Sequence, residues 1–205
     1  MNYLDDSSPL FGLVLAGGKS SRMGEDKATM NYHGQPQAEY QADLLESFCV
    51  QTFISYGDDS QLPALSKHKP IMDTYTELGP LGGMLSAFTA FPDKAWLIAA
   101  CDLPYLTRTT IEQLVAGRDA DKLASCFYNS TTELLEPLIT IWEPRAYPVL
   151  LKALHQGYAS PRKVLSSNDV AVIAMKDSIT LTNVNDKAAY EMWRNSIKLA
   201  DNSGK

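Results

Sequence analysis

The stretch Leu10-Phe-Gly-Leu-Val-Leu-Ala-Gly-Gly-Lys-Ser-Ser-Arg-Met-Gly-Glu-Asp-Lys27 decides the fold. Its first seven residues form a short apolar run without alternation, the pattern of a strand buried on both faces. The run breaks at Gly17-Gly18 into a polar loop carrying Lys19, Arg22 and Lys27. Adjacent glycines let the main chain approach a ligand closely, and their N–H groups can bond phosphate oxygens. The loop is neither a P-loop, since Glu25 stands where the lysine belongs, nor a G-x-G-x-x-G fingerprint.

Similar apolar runs recur along the chain. Strands are expected at Thr52–Ser55, Ile71-Met72, Ala95–Ala100, Leu123–Tyr128, Leu138–Trp142 and Val170–Met175. Helical patterns lie between them. One opens at Pro36 with Ala38, Leu44, Leu45 and Phe48 as its apolar stripe, and another runs from Gly79–Gly83 to Phe91. A third is capped by Thr107 and ends near Gly117, and others fit Arg145–His155, Pro161–Leu165 and Asn185 or Asp186 to Leu199. Strands alternating with helices predict a three-layer, Rossmann-like α/β fold with a mainly parallel sheet. Residues 1–205 are read as one domain, with 1–9 and 201–205 as frayed termini.

The balance of 18 Lys plus Arg against 24 Asp plus Glu leaves a formal charge of −6. That argues against nucleic acid as a partner, because phosphate contacts need a basic face. A few local cations can still serve a pocket for a small phosphorylated molecule. No apolar run reaches the length of a membrane span, and the first residues lack the pattern of a signal peptide. Cys49, Cys101 and Cys126 are far apart in apolar segments and read as reduced thiols. A cytoplasmic protein is the expectation.

In parallel sheets ligands bind beyond the carboxyl ends of the strands. Three candidates fall there: the loop after Ala16, Asp73 and Asp102. Asp102 closes a buried strand in Ala99-Ala-Cys-Asp-Leu-Pro104, where a carboxylate can hold Mg²⁺. Asp73 precedes Thr74-Tyr-Thr-Glu-Leu-Gly-Pro-Leu-Gly-Gly83; a carboxylate there can accept hydrogen bonds from a ligand, or simply bond its own turn. Arg162 and Lys163 stand at a helix start, suited either to a phosphomonoester or to plain solvent. His33, His68 and His155 have no metal-ligand spacing and read as surface residues, whereas Trp96, Trp142 and Trp193 read as packing aromatics.

The run Leu15-Ala-Gly-Gly-Lys-Ser-Ser-Arg-Met-Gly-Glu-Asp-Lys27 resembles the signature loop of the MobA-like nucleotidyltransferases, closest to the molybdenum cofactor guanylyltransferases. Cys101-Asp-Leu-Pro104 is similar to that family's Cys-Asp-Met-Pro. The resemblance implies a nucleotidyltransferase fold, dependence on Mg²⁺, and transfer of GMP from GTP to molybdopterin with release of pyrophosphate. It implies that Leu15, Ala16 and Gly17 meet the base or sugar, and that Gly18 and Arg22 border the phosphates. Lys27 would neutralise the transferred group, Asp73 contact guanine and Asp102 bind the metal. Arg22, Lys27 and Asp102 are then the catalytic set.

On the acceptor side the resemblance is looser. Asn183-Val-Asn185 resembles an Asn-x-Asn-Thr-Pro run, with Asp186-Lys187 in place of Thr-Pro, and joins Arg162 and Lys163 as candidate acceptor residues. Glu136-Pro-Leu138 is similar to a Pro-Leu element preceding a strand, and Asn31-Tyr-His-Gly-Gln-Pro-Gln-Ala38 departs from the family's apolar continuation. Molybdoenzymes and cofactor-biosynthesis proteins are the partners the resemblance implies. Still open are a cytidylyl- or sugar-phosphate nucleotidyltransferase, a glycosyltransferase and a nucleotide-binding module without turnover; Asp119-Ala-Asp121 is the sole Asp-x-Asp for the glycosyltransferase.

Overall fold

The computed structural model describes residues 8–17, 28–57, 66–175, 178–184 and 186–203. Seven strands form one sheet: β1 (Leu10–Leu15), β2 (Gln51–Tyr56), β3 (Lys69–Met72), β4 (Ala95–Ala100), β5 (Ala124–Asn129), β6 (Leu134–Trp142) and β7 (Ala171–Ala174). Their order is β3-β2-β1-β4-β6-β5-β7. All pairings are parallel except those of β6, which runs antiparallel to both β4 and β5. The helices are α1 (Gln37–Glu46), α2 (Pro80–Ala90), α3 (Arg108–Ala116), α4 (Ala146–His155), α5 (Pro161–Ser166) and α6 (Lys187–Ser203), with a 3₁₀ turn at Ser178–Leu181. The expected mainly parallel α/β sheet is present. Of the ends expected to fray, 1–9 and 201–205, residues 8 and 9 lead into β1 and 201–203 close α6, which runs to Ser203; 1–7 and 204–205 lie outside the described residues.

β1 and β4 are buried at every position, because helices cover both faces of the sheet. On one face Phe11, Phe53, Phe91 and Trp96 interlock, with Phe11 and Trp96 edge-to-face at 5.6 Å between ring centroids. Leu81, Leu85 and Phe88 of α2 pack on this side. The other face packs Val14, Ile54, Leu97 and Ala99 against Leu45 of α1 and Ile111 of α3. Thr107 caps α3 as its sequence indicates, its side chain accepting from the Thr110 N–H at 3.3 Å.

Helix α1 differs from its expected stripe. Its buried residues are Gln37, Ala38, Gln41, Ala42 and Leu45, so two glutamines occupy the face turned to the sheet. For Gln41 the reason is visible, since its Nε2 donates to the Leu103 carbonyl at 3.0 Å; the buried Gln37 amide has no partner among the described residues. An amide that finds a buried partner offsets its own desolvation.

The turn after α3 is joined to the end of β6 by a buried ion pair. Arg118 Nε and Nη2 donate to the two oxygens of Glu143 at 2.7 and 2.9 Å, and Nη2 also reaches the Ser8 carbonyl at 3.0 Å. Glu143 is only 1% exposed. Removing one partner of such a pair strands the other charge, so Arg118→Ala lowers stability by about 3–5 kcal/mol in urea unfolding. Arg118→Met combined with Glu143→Leu recovers most of that loss. A single variant as stable as the parent would contradict this.

Candidate active site

The register of the parallel strands brings their carboxyl ends to one level. Leu15 pairs with Ser55 on one side and Ala100 on the other, and Tyr56 pairs with Met72. Beyond the last pairs the chain stays tied: Ala16 N donates to Ser55 O at 3.0 Å, Cys101 N to Leu15 O at 3.1 Å, and Asp73 N to Tyr56 O at 2.9 Å. The strand order reverses between β1 and β4, which opens the crevice there. Gly17, Asp73 and Asp102 therefore reach the same edge of the sheet. Gly18, Arg22 and Lys27, expected beside them, lie outside the described residues.

Asp73 is built into a crowded corner. The Ser55 hydroxyl donates to its Oδ1. A Cβ on Gly17 would lie 3.1 Å from Asp73 Oδ2 and 3.0 Å from the Gly57 nitrogen. On Gly83 it would lie 2.5 Å from Ser55 Oγ and 2.7 Å from Leu15 Cδ2. The glycines of the two motifs thus let β1, β2 and α2 close around one carboxylate. Ser86 fixes the next turn, accepting from Thr74 N at 2.9 Å and donating to Gly82 O at 2.8 Å. Burial raises the Asp73 pKa above the ordinary carboxylate value, against the lowering effect of Ser55.

Asp102 follows β4, and its carbonyl accepts from Val184 N at 2.8 Å. That bond draws Asn183 to the crevice. Arg162 lies across the same region, its Nε donating to Leu135 O at 3.1 Å. Arg162 and Asn183 line, with Asn129, Thr131 and Glu136, a cleft of about 580 Å³. Lys163 is not brought there: its ammonium sits 3.5 Å from the Tyr158 ring centroid and borders a separate groove of about 310 Å³. Asn185 lies outside the described residues.

Glu136, noticed in the sequence only as part of Glu-Pro-Leu, is 6% exposed. Its Oε1 accepts from Leu138 N at 3.1 Å, where the β5–β6 register shifts. Burial raises its pKa most, Leu138 and Arg162 lower it, and the charge of Asp102 raises it. The donors at this end include the Asp102 and Glu136 carboxylates and the Asn183 amide oxygen, which is buried with no partner among the described residues. Hard oxygen donors of this kind fit Mg²⁺.

Two of the three histidines are not surface residues. His33 is half-buried: its Nε2 lies 2.9 Å from Pro104 O, and its ring stacks on Tyr40 at 3.8 Å. Burial lowers its pKa, against the opposing pull of that carbonyl. His68 is buried, its Nε2 2.9 Å from Asp43 Oδ1. Both polar rings sit among neighbours distant in sequence, which local pattern does not reveal. Asp43, Glu46 and His68 are close enough to share a cation, but Lys67 already pairs with the two acids at 2.8 and 3.5 Å. His155 is exposed. The three cysteines are free, and burial pushes the Cys49 and Cys126 thiols up to about 12.

The family model described as the MobA-like NTP transferase domain matches residues 12–172. The chain belongs to this family. A molybdenum cofactor biosynthesis bifunctional protein of Synechocystis is 38% identical over 89% of this chain, which spans only 53% of that protein. A probable molybdenum cofactor guanylyltransferase of Mycobacterium bovis is 31% identical over 89% of this chain and 92% of its own length. Among solved structures, molybdopterin-guanine dinucleotide biosynthesis protein A from Archaeoglobus fulgidus superposes with a TM-score of 0.77 at 22% identity. That match covers 92% of this chain and 98% of the other, and shows the shared fold. Among the described residues no helix is long and apolar enough to cross a membrane.

The raised pKa of Asp73 has a thermodynamic signature. The native state holds this proton more tightly than the unfolded chain, so the carboxylate costs stability as pH rises through its titration range. Asp73→Asn therefore gains on the parent as pH rises above about 4, the ordinary carboxylate value, in denaturant unfolding, and Ser55→Ala loses on it in the same direction. Stability differences that do not change with pH would refute the assignment.

Proposed function

We propose that this chain transfers GMP from GTP to the phosphate of molybdopterin, with Mg²⁺ as cofactor and pyrophosphate as the second product. One observation carries the reading. Asp73 and Asp102 stand on either side of Gly17 at the strand-order reversal, the first packed against a Cβ-free backbone. A carboxylate beside bare backbone suits a purine that offers two N–H groups on one edge. The family membership and the names of the relatives point to the same chemistry.

In this reading Asp73 accepts from guanine N1 and N2 and sets the base against the end of β1. Arg22 and Lys27 reach the phosphates from the loop that follows. Asp102 would hold Mg²⁺ together with the Asn183 amide oxygen, and the ion would supply positive charge to the reacting phosphates; Asn185 is assigned to the acceptor. Arg162 holds the acceptor phosphate. An oxygen of the acceptor phosphate attacks the α-phosphorus in line, the bond to the β-phosphate breaks, and pyrophosphate leaves with its electron pair. Both reactants are anions, so the barrier falls through positioning and fixed positive charge rather than a covalent intermediate. Residues 1–205 act as one nucleotidyltransferase domain in the cytoplasm, passing the product to molybdoenzymes or other cofactor proteins.

The test is pyrophosphate release with Mg²⁺ and each of the four common triphosphates, with and without molybdopterin. Release is expected only with GTP and molybdopterin together. Asp102→Asn and Lys27→Ala are expected to lower kcat by about 100-fold or more while the protein stays folded. Release with CTP alone, indifference to molybdopterin, or near-normal turnover in both variants would overturn the proposal.

A further inference from the structure

The turn that carries Asp102 is gripped at three successive carbonyls by three separate parts of the chain. Asp102 O accepts from Val184 N at 2.8 Å, Leu103 O from Gln41 Nε2 at 3.0 Å, and Pro104 O bonds His33 Nε2 at 2.9 Å. The turn begins tied to β1 through Cys101 N and Leu15 O at 3.1 Å. Its path is therefore set from the sheet, from α1, from the loop before α1 and from the segment before α6.

The residues making these bonds are themselves immobilised. Gln41 is fully buried on α1. His33 is stacked on Tyr40 and meets the Trp193 indole edge-on at 5.5 Å. Trp193, on α6, is 4% exposed and packs with Tyr32 and Val184. Since Pro104 O can only accept, His33 must carry a proton on Nε2; its lowered pKa leaves the ring neutral at pH 7. A leucine could fill the Gln41 site and an aromatic ring the His33 site. The polar choice at both buys a directed bond to the same turn.

We infer that His33 and Gln41 are positioning residues that fix the Asp102 carboxylate for its cation. This rests on the reading of Asp102 as the metal-holding group. It also makes Val184 and Trp193 part of the working unit, although both lie beyond the family-matching residues 12–172. Residues that orient a metal ligand typically change metal affinity or activity by about 10- to 100-fold when removed.

The experiment uses the full chain in three measurements: Mn²⁺ binding by electron paramagnetic resonance with GTP present, steady-state kinetics in GTP, and urea unfolding. His33→Ala and Gln41→Leu are expected to weaken Mn²⁺ binding and kcat by about 10- to 100-fold, with the KM for GTP within about twofold of the parent. His33→Gln, whose amide can donate from the position of Nε2, is expected to recover most of both losses. Unchanged Mn²⁺ affinity in His33→Ala and Gln41→Leu overturns the inference. So does a loss that follows the unfolded fraction, or His33→Gln behaving like His33→Ala. Equal Mn²⁺ binding by the parent and Asp102→Asn removes the underlying reading of Asp102, and this inference with it.

Discussion

The parallel pairing of β1 with β2 on one edge and β4 on the other governs the rest of the molecule. It aligns the carboxyl ends of three strands, so that residues far apart in the chain leave the sheet together. Everything placed at the crevice depends on that alignment: the bare backbone of Gly17, the Asp73 carboxylate beyond β3, and the turn that holds Asp102. A slip of one residue in β1 would turn its inward side chains to the opposite face and break both aromatic and aliphatic packing. The register is thus specified twice, once by the core and once by the hydrogen bonds that continue beyond it.

Antiparallel β6 gives the cleft lined by Glu136 and Arg162 its character. Because it runs against its neighbours, its beginning lies at the edge where the others end. Leu134, Leu135 and Glu136 therefore arrive beside the Asp102 turn, and the register shift against β5 occurs there as well. Irregular pairing of this sort re-aims side chains next to binding sites. Here the Glu136 carboxylate shapes its own chain by accepting from Leu138 N, because Pro137 has no N–H to offer.

Much of this was legible in the residues themselves. Most strands are short apolar runs, and Thr107 announced the helix it precedes. Asp73 and Asp102 were recognisable because each closes such a run. What could not be read was whatever depends on contact across the chain. The direction of β6 leaves no trace in its composition, since a strand between two others is apolar either way. Gln41 interrupts the apolar stripe of α1 for the sake of a carbonyl 62 residues away. His33 looks like a loop residue until Pro104, Tyr40 and Trp193 surround it. Ser55 gave no signal beyond a small polar side chain at a strand end, and only the folded sheet sets it against Asp73.

The strand order also acts as a ruler. Neighbouring strands lie about 4.8 Å apart, and four such intervals separate β3, which leads to Asp73, from β6, which carries Glu136. Those intervals span roughly 19 Å along the edge of the sheet. A ligand touching both ends must be extended to about that length, with its middle passing over Gly17 and Asp102. The sheet is continuous from one end to the other, so the distance between these two carboxylates is set by backbone hydrogen bonds.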